Sequence, residues 1–390
     1  MITNKKNLEK VVIAGLLTAD DNPKLFEEDM QEMAMLCRTA DAEVAATFIQ
    51  KRVSPVASTY LGEGKLYEIR SAMRAQKVKT LVIDAQLSPG QIRNIEKIIE
   101  GKVLDRSQLI LDIFALHART VEARVQVELA QMRSLYPRLT HAWTHFSQQV
   151  GGIGTRGPGE KQLEVDRRLV KKKIGDLKNR LHKIERNRMI QRKGRNSVFK
   201  ASLVGYTNVG KSSLLNAMCG SDVLVENKLF ATLDTATRRS YIPGAGTIVI
   251  SDTVGFLRKL PHDLVASFRS TLSVAAESDL LILVLDASSE WVDQQLETVN
   301  AVLEELGAQD VQKMFVFNKV DKVQDPFERK KLQIAYPDAM FVSSFNKEDM
   351  WELRQKIADV VIHKEQRQRA ERIIHQKTKG YLREKERHAV

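Results

Sequence analysis

Two cysteines, Cys37 and Cys219, are all that the 390 residues contain. That scarcity excludes a disulfide scaffold, and no Cys/His cluster has the spacing of a structural zinc site. Both thiols fit a reducing compartment, and Cys219 reads as a buried helix residue. Long apolar runs are absent too: none approaches the ~18 to 20 residues needed to cross a bilayer, so stable membrane insertion is not expected. The opening "KKNLEKVVIAGLLTADD" has the basic start and short apolar stretch of a signal peptide. However, Glu9 and Lys10 abut the apolar residues and Asp20 and Asp21 follow them. Residues 11 to 17 therefore read as a first buried strand, and the expected location is cytoplasmic.

What is present is size and a localised charge. A chain of this length accommodates two or three domains with separate cores. The formal net charge is +12. Fourteen Lys/Arg against two acids, Asp176 and Glu185, lie between Arg167 and Lys200, so this one segment carries the whole excess. A focused charge of that kind points to a polyanionic partner.

The first hundred residues alternate between strand and helix patterns. "VVIAGLL" precedes a helix-period stretch, "FEEDMQEMAMLCRT", and then comes the strand-like "AEVAATFIQK". "GKLYEIRSAMRAQK", "TLVIDAQL", a helix opened by Ser88 and Pro89, and "GKVLD" complete the series. Such alternation predicts a small α/β domain with a mainly parallel sheet, and no phosphate-loop motif falls within it. From about Gln108 to Tyr136 apolar residues recur at three- and four-residue steps, which predicts one long helix of ~40 Å stopped by Pro137. A second helix starts near Glu160, with Val170, Ile174, Leu177, Leu181 and Ile184 along one seam. Two apolar stripes close most simply as an antiparallel hairpin.

The connection between these helices holds "GGIGTRGPGE", five glycines within residues 151 to 159. It contains a G-x-G-x-x-G match, but neither a preceding strand nor a βαβ unit surrounds it, so the dinucleotide reading fails. A plain flexible connector is one account. The stronger one is a nucleic-acid probe: Trp143 with His141, His145 and Phe146 offers rings for unpaired bases beside Arg156, and glycines expose backbone N–H groups to phosphates. Below the tip, Lys171, Lys172, Lys173, Lys178 and Arg180 supply positive charge for RNA.

A second glycine-rich loop has the right context for a nucleotide. "VFKASLV" is strand-like; Gly205, Tyr206, Thr207, Asn208, Val209, Gly210, Lys211 and Ser212 fit G-x-x-x-x-G-K-[ST]; and Ser213 continues into a helix. Backbone N–H groups and the helix dipole favour phosphates there, Lys211 reaches the β- and γ-phosphates, and the Ser212 hydroxyl is a ligand for Mg²⁺. "TIVISDTVG" ends in D-x-x-G: Asp252 holds Mg²⁺ through water, and Thr253, Val254 and Gly255 lead to an N–H that senses the γ-phosphate. "KMFVFNKVD" ends in N-K-x-D, with Asn318, Lys319 and Asp321. A carboxylate at Asp321 accepts from guanine N1–H and the 2-amino group, which adenine cannot offer. Ser343, Ser344 and Phe345 end a further strand, placed to cover the guanine carbonyl. The switch around Phe230, Ala231, Thr232 and Leu233 assigns Thr232 to Mg²⁺, with Thr235 and Thr237 as rivals. Phe256 follows Gly255 where Ras-like proteins have a water-orienting Gln, so no catalytic base is assigned and intrinsic hydrolysis is expected to be slow.

With these motifs in hand, the chain resembles the HflX family of the Obg–HflX branch of translation-associated GTPases. The resemblance runs through "TYLGEGKLYEI", "DRSQLILDIFALHARTVEARVQVELAQMRSLYPRL", "GGIGTRGPGEKQLEVDRR", the GTPase motifs and "LFATLDTATRR". It departs from the family's frequent "LDPTTR" at Asp234 to Arg238, which bears on the Thr232 assignment. The fold class expected is α/β: an N-terminal α/β domain (1–107), a long helical hairpin with a glycine-rich tip (108–197), a P-loop Ras-like GTPase domain (198–364) and a basic, solvated helical tail (365–390). A monomer is expected, and the resemblance implies that it binds the large ribosomal subunit and its rRNA. It further implies that the GTP state separates the subunits of stalled ribosomes under stress, and that ribosomes stimulate hydrolysis. The alternative is a GTP-dependent assembly factor or RNA-binding switch that leaves mature ribosomes joined. A tRNA-modifying GTPase is a further rival, without supporting features in this chain.

Overall fold

Seven consecutive residues of the first strand, β1 (Glu9–Leu17), are buried, from Val11 to Leu17. Uninterrupted burial of this kind, with no polar alternation, belongs to a strand covered on both faces. The computed structural model describes residues 8–141, 158–192, 198–220, 229–230, 236–259 and 274–387. The chain forms two units, the first built from Met1–Gly194, Glu226–Asp234 and Val254–Leu272, the second from Arg195–Val225, Thr235–Thr253 and Ser273–Val390.

In the first unit β1 is followed by α1 (Pro23–Thr39), β2 (Ala42–Lys51), α2 (Glu63–Ala75), β3 (Thr80–Ile83), α3 (Pro89–Ile99) and β4 (Lys102–Asp105). The helices begin where local chemistry says they should. Asn22 accepts from the Lys24 amide ahead of Pro23, and Ser88 and Gln91 form a reciprocal capping box ahead of α3. The strands pair in the order β2-β1-β3-β4, all parallel. One face of the sheet closes on a core of Leu66, Ile69, Ile92 and Ile95 from α2 and α3.

The single helix expected over 108–136 is in fact two, α4 (Arg106–His117) and α5 (Val121–His141). Ala118 leaves the helical region (ψ 105°), and the Thr120 hydroxyl accepts from the Ala123 amide to start the next helix. The break separates two duties that share one period in the sequence. Leu109, Ile110, Ile113 and Phe114 are buried on α4, whereas Val125 and Leu129 on α5 face Leu177 and Leu181 of α6 (Pro158–Arg192). Pro137 does not stop the helix but lies inside α5. The hairpin is antiparallel as expected, since Glu128 meets Lys173 while Tyr136, further along, meets Arg167. The glycine-rich tip lies outside the described residues.

The first unit also contains a buried charge cluster. Arg106, 2% exposed, pairs with Asp84 at 2.6 Å and with Glu32. Arg258 reaches Asp29 at 2.7 Å, and Lys259 reaches Asp29 at 2.8 Å and Asp84 at 3.2 Å. Burial works against the charge of Arg106, yet Glu32 and Asp84 outweigh it and hold the guanidinium above its ordinary range.

The second unit has a six-stranded sheet in the order β10-β9-β8-β5-β7-β6. Its strands are β5 (Lys200–Gly205), β6 (Ala236–Ile242), β7 (Gly246–Asp252), β8 (Leu280–Asp286), β9 (Lys313–Asn318) and β10 (Met340–Phe341). Only β6 runs antiparallel, paired with β7. The helices are α7 (Lys211–Cys219), α8 (Val292–Glu305), α9 (Pro326–Ala335) and α10 (Lys347–Arg387). The basic tail expected after residue 364 is thus a continuation of α10 rather than a separate element. Cys219, at the end of α7, is half-buried, because the last residue of a helix sits at its rim. No helix among the described residues is long and apolar enough to cross a membrane.

Candidate functional site

The central strand β5 delivers the second glycine-rich loop, and two of its glycines are required by space. Gly205 has φ +155°, and a Cβ there would come within 2.2 Å of the Val284 carbonyl oxygen. Gly210 has φ +94°, and a Cβ there would lie 2.2 Å from Nδ2 of Asn318. Only glycine permits this loop to fold back against β8 and β9 and still start α7 at Lys211. Tyr206, Thr207 and Val209 are buried, and Asn208 takes the left-handed conformation at φ 60°. The Thr207 hydroxyl is buried and makes no hydrogen bond among the described residues.

Lys211 is 6% exposed and donates to the carbonyls of Gly205 (3.1 Å) and Tyr206 (2.7 Å). Burial pushes its ammonium down to about 8; Asp252 opposes that shift and Lys319 adds to it. Next in sequence, Ser212 donates to Asp252 Oδ2 at 2.6 Å, so the hydroxyl of α7 and the carboxylate ending β7 converge. Hard oxygen donors of this kind fit Mg²⁺, which binds through few protein ligands and keeps other positions for phosphates and water. Ser213, one residue on, is half-buried on α7. Thr253 is tied to β5 through Leu203 O at 2.8 Å.

At the other end of the site, Asn318 and Lys319 clasp the phosphate loop. Asn318 donates to Val209 O at 2.9 Å and Lys319 to Asn208 O at 2.5 Å. The Ser344 amide donates to Asn318 Oδ1 at 3.2 Å, and the Ser343 amide to Asp349 at 2.6 Å. Asp321 is exposed in a short 3-10 turn, Val320–Lys322, and Phe345 is 84% exposed beside it in the chain order of the motifs. The sheet thus brings together the G-K-S, D-x-x-G aspartate, N-K-x-D and Ser343–Ser344 segments at the carboxyl ends of its strands, where open α/β sheets bind ligands.

Other expected residues fall elsewhere. Val254 and Gly255 are buried in the first unit, with Phe256 only 1% exposed, so its ring does not project toward solvent. Phe230 is buried there too, edge-on to Phe114 with centroids 4.7 Å apart. Ala231, Thr232, Leu233 and Thr235 lie outside the described residues. Thr237 belongs to β6, where its hydroxyl meets that of Ser251 at 3.0 Å, so its place is in the sheet. Lys171, Lys172, Lys173, Lys178 and Arg180 are exposed on α6, Lys173 pairing with Glu128 at 2.6 Å. Trp143 and Arg156 lie outside the described residues.

Sequence reasoning overlooked Asp286. It ends β8, pairs in register with Asn318, and holds the Lys319 ammonium at 2.7 Å. The signal was there in "LLILVLD", an apolar strand that stops on a carboxylate.

Comparison with known proteins bears on all of this. Residues 27–115 match a model described as "GTP-binding GTPase N-terminal", residues 117–195 a "GTP-binding GTPase Middle Region", and residues 200–319 a "50S ribosome-binding GTPase". A GTPase HflX of Flavobacterium psychrophilum is 42% identical over 91% of this chain and 91% of its own length. The chain belongs to the HflX family. It is a GTPase, hydrolysing GTP. GTPase HflX of Escherichia coli is 46% identical, over 76% of this chain and 70% of its own. Among solved structures, SsGBP in complex with GDP is similar over 91% of this chain and 99% of its own, at 27% identity and a TM-score of 0.51. The family associates with ribosomes.

Proposed function

We propose that this GTPase docks its helical hairpin on rRNA of the large ribosomal subunit and, in its GTP state, separates the subunits of stalled ribosomes. The observation that carries the reading is the charge on α6: five exposed cations, Lys171, Lys172, Lys173, Lys178 and Arg180, spread around the helix outside the apolar seam that α5 closes. Phosphate contacts from such a face supply affinity without sequence preference.

At the nucleotide, the residues from Gly205 to Ser213 cradle the phosphates, with Lys211 leaving its loop carbonyls for the β- and γ-phosphates. Ser212, Thr232 and, through water, Asp252 would hold Mg²⁺, which would supply positive charge to the phosphates. Asp321 selects guanine, while Asn318, Lys319 and the Ser343–Phe345 turn fix the loop around the base. Phe230 to Leu233 and Thr253 to Gly255 respond to the γ-phosphate. Phe256, the residue directly after Gly255, is not suited to orient water, so the ribosome completes the catalytic arrangement and hydrolysis times release.

The test is GTP turnover by the protein alone, with large subunits and with whole ribosomes, at two salt concentrations, alongside subunit profiles on a gradient. Ribosome stimulation that fades with salt, and loss of joined ribosomes with GTP, is the expected result. Binding to free subunits while whole ribosomes stay joined in excess protein overturns splitting and leaves a GTP-dependent assembly factor.

A further inference from the structure

Lys319 occupies an unusual position: a left-handed residue (φ 63°) whose ammonium must reach back over the phosphate loop. A four-carbon stem with a free ammonium has many rotamers, and one hydrogen bond to Asn208 O is little to select among them. The second partner is Asp286. Its Oδ2 takes Lys319 Nζ at 2.7 Å, and its Oδ1 takes both the amide (3.0 Å) and the hydroxyl (2.6 Å) of Ser288. The carboxylate is therefore oriented before it meets the lysine. Both side chains are more than four-fifths buried, at 17% and 18% exposure, which limits solvent screening of the pair. The backbone adds a fixed frame, since the Ala287 amide donates to Asn318 O at 2.9 Å.

We infer that Asp286 is a positioning residue for guanine-nucleotide binding: it holds Lys319 across the Asn208 carbonyl and so joins the base-recognition loop to the phosphate loop before nucleotide arrives. This rests on the assignment of the N-K-x-D and G-K-S segments as the nucleotide site. Asp286 touches neither base nor phosphate in this role; it acts through Lys319. A structural ion pair would affect stability alone. A positioning residue affects nucleotide retention, and its effect disappears once Lys319 is gone.

The experiment measures dissociation of fluorescent methylanthraniloyl-GDP from the full chain as wild type, Asp286→Ala, Asp286→Asn, Lys319→Met and the Asp286→Ala/Lys319→Met double variant. Melting of each without nucleotide serves as the folding control. Asp286→Ala is expected to speed release by roughly 10- to 100-fold, within the roughly 2- to 150-fold range of coupling between contacting side chains, with Asp286→Asn intermediate. The double variant should release no faster than Lys319→Met. Unchanged release from Asp286→Ala, or losses that multiply fully in the double variant, overturns the inference. If Asp286→Ala fails to fold, Asp286→Asn, which keeps the shape, decides between the same outcomes. Failure of the wild type to retain the GDP probe overturns instead the underlying nucleotide-site assignment.

Discussion

Each of the two sheets in this chain ends parallel strands on carboxylates, and the two use them in opposite ways. In the N-terminal sheet, Asp84 follows β3 and Asp105 ends β4. Asp84 is neutralised by Arg106 and Lys259, and Asp105 caps α4 in a reciprocal box with Gln108. In the six-stranded sheet, Asp252 and Asp286 also end strands, but their partners are Ser212 and Lys319, residues of the motif segments themselves. The first edge is closed by its own protein; the second is laid out around a loop whose glycines leave room. Architecture alone does not make a site: the side chains that meet the strand ends decide it.

The comparison breaks most easily at Arg106. Arg106→Leu removes the cation that Asp84 and Glu32 share and leaves Asp84 to Lys259, and removing one member of a buried ion network costs about 3–5 kcal/mol. Urea unfolding should show that loss; a loss below about 1 kcal/mol would mean that the cluster is well hydrated. At the other edge, Asp321→Asn should lower GTP affinity while the helical hairpin stays folded, by ~1–3 kcal/mol for a lost charge-assisted hydrogen bond. Unchanged affinity in a titration with labelled GTP refutes the guanine assignment.

A smaller effect follows from Lys211. Its folded value of about 8 lies below the ordinary lysine value of 10.5, so between these the unfolded chain holds the extra proton. Relative to Lys211→Met, stability of the nucleotide-free protein should therefore rise as pH increases through that window, by at most about 1.4 kcal/mol per pH unit. The buried Cys37 thiol, pushed up to about 12, lowers the stability of both alike. Calorimetry near pH 8.5 should also detect proton uptake when GDP binds, because phosphates restore the ammonium. The smallest change concerns α6. Lys171→Gln and Lys172→Gln should each reduce the log–log salt slope of rRNA binding by about one. Lys173→Gln should do less, its ammonium being shared with Glu128.

Much of the molecule was legible in advance. Parallel strands β1 to β4 and the cap at Ser88 follow from local pattern, and the phosphate loop is recognisable because its glycine, lysine and serine positions act within one turn of chain. Where reading failed, the missing information was distant. The α4–α5 break is invisible to periodicity, because apolar residues continue in step while their packing partners change from the sheet to α6. Arg106 meets Glu32 across 74 residues and Asp84 across 22, and nothing local marks that arginine as buried. Asp286 is overlooked for the same reason: its meaning comes from Lys319, just past the end of the neighbouring strand.

By itself, the sequence determined the strand–helix alternation of the first domain, the start of α3 at Ser88, the family, the guanine-nucleotide motifs and the single basic segment, because each is set by residues within a few positions of one another. Only the tertiary structure decided which carboxylates are closed by arginine and which are left to organise a site. Strand order chooses those neighbours, and a charge's energy depends on the partners and burial that this order imposes.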